Sequence, residues 1–184
     1  MITSKQLNRL RDEAYATACN KGFHDGKHSD EHYLMLVITE IAEAVQADRK
    51  GRRVTRKVRE DYEQFMEAYK DISITMYESA ISGTLEDELA DIVIRLLDFC
   101  GMKGITFDSR NDGFDFDRLT YKSKPFTDVM FDLCSMITGY DPNLEIIVRC
   151  VIYYCEKHGI DILWHIEQKM EYNKMRPRTH NAKY

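Results

Sequence analysis

The stretch TLEDELADIVIRLLDFCG, Thr84 to Gly101, decides the architecture. Leu89, Ile92, Val93, Leu96, Leu97 and Phe99 point in several directions around a 3.6-residue repeat. A helix over Leu85 to Cys100 is therefore apolar around most of its circumference and belongs at the centre of a bundle. Thr84 with Asp87 three residues later is a capping-box start. One polar stripe remains, made of Glu88, Asp91, Arg95 and Asp98, and a central helix has little water to offer it. Arg95 can pair with Asp91 at the i, i+4 spacing.

Upstream, Thr3 or Ser4 caps a first helix to about Asn20, which Gly22 ends, and FHDGKHSDEH follows as a polar loop. Ser29 or Asp30 caps a second helix to about Lys50. Its stripe of Leu34, Val37, Ile38, Ile41 and Val45 has the helical i, i+3, i+4, i+7 spacing, and Gly51 closes it. The basic stretch RRVTRKVR leads into a third helix expected from Lys57 to Ser79, with Ser82-Gly83 as its break. Downstream, residues 101–125 are aromatic, acidic and without helical period, which predicts a long loop or lid. Pro125 opens a further helix to about Thr138, GYDP turns the chain, and two more helices are expected over Leu144 to His158 and Ile160 to Lys174. The expected fold is all-α, one domain over residues 1–184, a bundle of about six to seven helices.

Composition narrows the function. At 184 residues the chain can bury a substantial core, and three prolines and nine glycines interrupt few patterns. Charged residues at 31% and hydrophobic ones at 43% are ordinary for a water-soluble domain. A net charge of -5 offers no general attraction to nucleic acid or to anionic membranes. Cys19, Cys100, Cys134, Cys150 and Cys155 are an odd set without a C-x-x-C pair, which reads as reduced thiols in a cytoplasmic protein. No apolar leader and no membrane-length apolar run is present.

Two acidic pairs carry chemistry. Glu40 and Glu43 lie in TEIAEAVQADRKG, Glu88 and Asp91 in EDELADIVIRLLDFC. A spacing of three puts two side chains on one helix face, roughly 60° apart, so each pair can reach one ion. Four converging carboxylates repel one another unless a cation neutralises them, and all-oxygen donors favour magnesium, calcium or manganese. Spacing alone fits solvated helix faces at least as well. In WHIEQKMEYNKMRPRTHNAKY, Lys169, Asn173 and Arg176 recur at four and three and share a face that suits a polyphosphate; a cationic last turn complementing the helix dipole explains the same residues. Arg178, His180 and Lys183 continue as a basic tail. His24, His28 and His32 are spaced by four, but Asp25-Gly26 interrupts any continuous helix through them. P-loop, dinucleotide-fold and nucleophile-elbow motifs are absent, as is the Glu-x-x-His of a di-iron bundle.

Taken together, the E-x-x-E of LMLVITEIAEAVQADRKG, the E-x-x-D of EDELADIVIRLLDFCG and the terminal KMEYNKMRPRTHNAKY resemble the MazG-like, all-α nucleoside triphosphate pyrophosphohydrolases. The likeness covers roughly residues 30–100 and the last twenty or so. Thr39 stands where that family often carries a further glutamate, and residues 101–160 match nothing in it. The resemblance implies a four-helix core in which Glu40, Glu43, Glu88 and Asp91 bind magnesium, with manganese as a substitute. It implies hydrolysis of an unmodified or modified NTP or dNTP to the monophosphate and pyrophosphate, with Glu43, and Glu40 beside it, as catalytic carboxylates. It makes Lys169, Asn173 and Arg176 the triphosphate contacts, with Lys174 on another face, and it implies a homo-oligomer, a dimer or a tetramer.

For the base, His32, Tyr33, Trp164 and the aromatic segment Phe107 to Tyr121 are available to stack, or to pack. The alternative function is a non-catalytic helical binding module, antitoxin-like, that keeps the bundle.

Overall fold

The computed structural model describes residues 2–69, 73–112 and 123–178. Among them the chain forms eight α-helices and no strand, one helix more than the upper expectation: α1 (Ser4–Lys21), α2 (Asp30–Arg49), α3 (Arg56–Ala68), α4 (Ser73–Ala80), α5 (Leu85–Lys103), α6 (Phe126–Ile137), α7 (Leu144–Lys157) and α8 (Ile162–Met175). The all-α bundle is as expected. No helix among these residues is long and apolar enough to cross a membrane.

Helix α5 is the centre because it is apolar around most of its circumference, and α1, α2, α7 and α8 all pack against it. Leu89, Ile92, Val93, Leu96, Leu97 and Cys100 are fully buried. Gly101 does not end the helix. A Cβ there would lie 2.6 Å from Tyr15 Cβ, so the glycine allows α1 to cross closely, and Gly104, at φ 67°, makes the stop.

The single helix expected over Lys57 to Ser79 is two helices. Tyr69 leaves helical geometry (φ -138°, ψ 75°), and α4 folds back against α3 so that the Tyr62 and Tyr77 rings lie 6.5 Å apart. On one straight helix fifteen residues would separate them by roughly 22 Å. With Ile81 and Tyr172 these rings form a second apolar cluster. Tertiary burial broke a helix that contains neither glycine nor proline in this stretch.

The loop or lid expected over residues 101–125 starts three residues later than expected. Residues 101–103 complete α5, Phe107 is buried in the core, and the Asn8 side chain brackets it, donating to Phe107 O at 3.0 Å and accepting from its N–H at 2.9 Å. Arg149 of α7, itself buried, donates to Ser4 Oγ, Asp108 O and Asp112 Oδ1 and pairs with Glu145. Residues 113–122, which hold the remaining aromatic residues of that segment, lie outside the described residues. The five cysteines form no disulfide among the described residues; Cys100, Cys150 and Cys155 are buried.

Candidate functional site

Ser29 caps α2 and Thr84 caps α5, and their packing brings the acidic pairs face to face. One carboxylate oxygen each of Glu40, Glu43 and Glu88 lies within 4.8 Å of the others; among the described residues this is the group of ligating side chains able to converge on an ion. Glu40 is 7% exposed and Glu88 8%, so neither belongs to a solvated face, whereas Glu43 is exposed. Burial, then the neighbouring Asp87 and Asp91, push the Glu88 carboxyl up to about 8, and Lys169 opposes them.

Two cations meet this acidic face. Arg95 does not take Asp91 at i+4, as its spacing allowed; its Nε pairs across the helices with Glu40 Oε1 at 2.5 Å. Asp91 pairs with Lys169 Nζ at 2.6 Å and stands outside the three-carboxylate group. Burial raises the Asp91 carboxyl against the pull of Lys169. Lys169 also reaches Asp87 Oδ1 at 3.0 Å. Asp91 and Asp87 hold its ammonium charged in spite of burial. Asp87, 1% exposed, further accepts from Tyr77 O–H and from the Gly83 N–H at 2.9 Å. Asp87 reads in the sequence only as a helix-start residue, and nothing local there marks it as a lysine partner.

A cavity of about 420 Å³ opens between α1, α2, α5 and α8. Its walls include Glu40, Glu43 and Asp91 on one side and Lys169, Asn173 and Arg176 on the other. The two sequence motifs, about 125 residues apart, thus share one space. The Asn173 side chain has no hydrogen-bond partner and Arg176 no carboxylate among the described residues; the Arg176 guanidinium lies 5.7 Å from the Tyr172 ring. Lys174 points elsewhere, to Glu13 and to Glu171 at 2.6 Å.

The base-stacking expectations fare differently. His32 is outside the cavity wall, stacked on His28 at 4.2 Å, and His24 is bound to Asp98 at 2.7 Å and to Tyr33 Oη at 3.2 Å. The three histidines form no metal group among the described residues. Tyr33 is core packing on Phe99, and Trp164 sits between Tyr62 and the Arg59 guanidinium. The aromatic ring that does line the cavity is Phe23, beside Leu36 and the small α1 residues Ala14, Thr17 and Ala18. Its only sequence signal is its place directly after the Gly22 stop. No family model, no curated protein and no solved structure matches the chain.

Proposed function

We propose that the chain is a magnesium-dependent, MazG-like nucleoside triphosphate pyrophosphohydrolase, with manganese as a substitute ion. The observation that supports this is the shared cavity: Glu40 and Glu43 of α2, which converge with Glu88 of α5, line it opposite the Asn173 side chain of α8 and Arg176 at the C-cap of α8. The donor set fits the ion. Glu40, Glu43 and Glu88 offer oxygens only, close together, and the raised Glu88 carboxyl reports the anionic repulsion and burial that a cation would relieve. Those three residues would hold the ion, which when bound neutralises phosphate charge and acidifies water.

The chain's own groups divide the remaining work. Glu43 is the exposed carboxylate with no ion-pair partner among the described residues, so the oxygen it does not give to the ion is free to take a proton from a water attacking the α phosphorus. Glu40 is held by Arg95 and keeps its orientation. Asn173 and Arg176 donate to the phosphate oxygens that leave as pyrophosphate. The end of the cavity lined by Phe23, Leu36 and α1 receives the nucleoside. A homodimer or homotetramer and a cytoplasmic location belong to the same proposal, the latter supported by an odd set of five cysteines without a C-x-x-C pair.

The test is pyrophosphate release from a panel of unmodified and modified NTPs and dNTPs with magnesium, for the wild type and for a folded Glu88→Gln variant. Release by the wild type that falls at least about a hundredfold in the variant is expected; equal turnover in the two overturns the proposal. A second reading, the non-catalytic binding module, is favoured by Arg95 on Glu40 and Lys169 on Asp91, which neutralise part of the cluster without a metal. It predicts no release across the panel and no magnesium-dependent rise in Tm.

A further inference from the structure

We infer that Lys169 is a positioning residue, a built-in counter-cation that ties Asp91 and Asp87 to α8 and keeps Asp91 out of the Glu40, Glu43 and Glu88 group. This rests on the function proposed above and reassigns one residue within it, from phosphate contact to internal ion-pair partner.

An ammonium has three N–H donors, and two are committed to Asp91 Oδ2 at 2.6 Å and Asp87 Oδ1 at 3.0 Å. Asp87 cannot swing away. Its Oδ1 also accepts from Tyr77 and its Oδ2 from the Gly83 N–H, in a pocket that leaves it 1% exposed. The lysine is therefore anchored at Asp87, and Asp91 is fastened to the anchored lysine. A phosphate that drew Lys169 away would strand two carboxylates where little water can replace it, which is the most unfavourable way to open a buried pair. Asn173, one turn further along α8, and Arg176, the residue that caps its C-terminus, carry no such partners and face the same cavity. They are the donors available to a ligand, and Lys169 fixes the helix that presents them.

The assignment separates two affinities. Nucleotide-free, full-length protein is titrated with MnCl₂ by calorimetry, and pyrophosphate binding is measured separately in excess magnesium. In Lys169→Met, release of Asp91 beside the carboxylate group is expected to tighten manganese about tenfold, with pyrophosphate affinity within about threefold of wild type. Arg176→Ala is expected to do the reverse, leaving manganese affinity alone and weakening pyrophosphate. Unchanged manganese affinity in Lys169→Met overturns the assignment, whichever way pyrophosphate moves. Should Lys169→Met fail to fold, Asp91→Asn decides: manganese affinity within about threefold of wild type upholds the assignment, and a tenfold loss makes Asp91 a metal ligand and overturns it. Absence of manganese binding by the wild type sinks the metal centre itself, whereas binding that Lys169→Met does not alter sinks only this role for Lys169.

Discussion

Lowering the pH should destabilise the protein through His165 of α8. Its ring is 5% exposed, Nδ1 has no hydrogen-bond partner, and Trp164 packs edge-on at 4.7 Å. Burial drives its pKa down to about 4; Glu86 and Asp87 of α5 and Asp161 before α8 pull the other way, and Arg59 of α3 adds to the depression. The unfolded imidazole titrates near 6.5. Between those values the unfolded chain holds a proton that the folded chain refuses, so this contribution is complete above pH 6.5 and is lost as pH falls toward 4. From pH 7.5 to 5 the loss is about 2 kcal/mol, or roughly 4–8 °C in Tm for a domain of this size. Glu88 and Asp91, both raised, titrate with the opposite sign, so the wild type alone does not isolate the effect. His165→Phe keeps a ring and removes both nitrogens. Urea unfolding of both proteins at several pH values between 7.5 and 5 should give curves that diverge by about 2 kcal/mol at the acid end, with the variant the more stable there. Parallel curves would refute the buried, neutral imidazole.

Gly101→Ala should destabilise by about 1–3 kcal/mol in denaturant unfolding, because the new Cβ meets Tyr15 Cβ at 2.6 Å, at the root of that side chain where no rotamer change relieves it. No loss, or the gain of up to about 1 kcal/mol that alanine ordinarily brings over glycine inside a helix, would show that α1 can move aside. Arg149→Met should cost about 3 kcal/mol, since it removes the counter-cation of Glu145 and Asp112 and the donor to Ser4 Oγ and the Asp108 carbonyl; Glu145→Gln added to it should recover part of the loss in a double-mutant cycle.

Helix order was readable where burial and local period agree. The stripe of α2 and the wide apolar surface of α5 name their own partners, because a helix that is apolar around most of its circumference has only the centre of a bundle to occupy. The break between α3 and α4 was not readable. No glycine or proline marks it, and it serves contacts among Tyr62, Tyr77 and Tyr172, residues far apart in the chain. Charge pairing shows the same divide. Spacing along one helix offered Arg95 to Asp91 and left Lys169 free, yet packing set Arg95 on Glu40 and closed Lys169 on Asp91 and Asp87.

What the sequence by itself determined is an all-helical chain with carboxylates at helical spacing on two helices and basic and amide groups at helical spacing on the last, since periodicity is a property of each helix alone. Only the tertiary structure decided that Glu40, Glu43 and Glu88 converge, that Asp91 turns to Lys169, and that Asn173 and Arg176 line the same cavity. The physical reason is that an ionised side chain buried between helices takes whichever counter-charge the packing puts within reach, and sequence distance does not encode that reach.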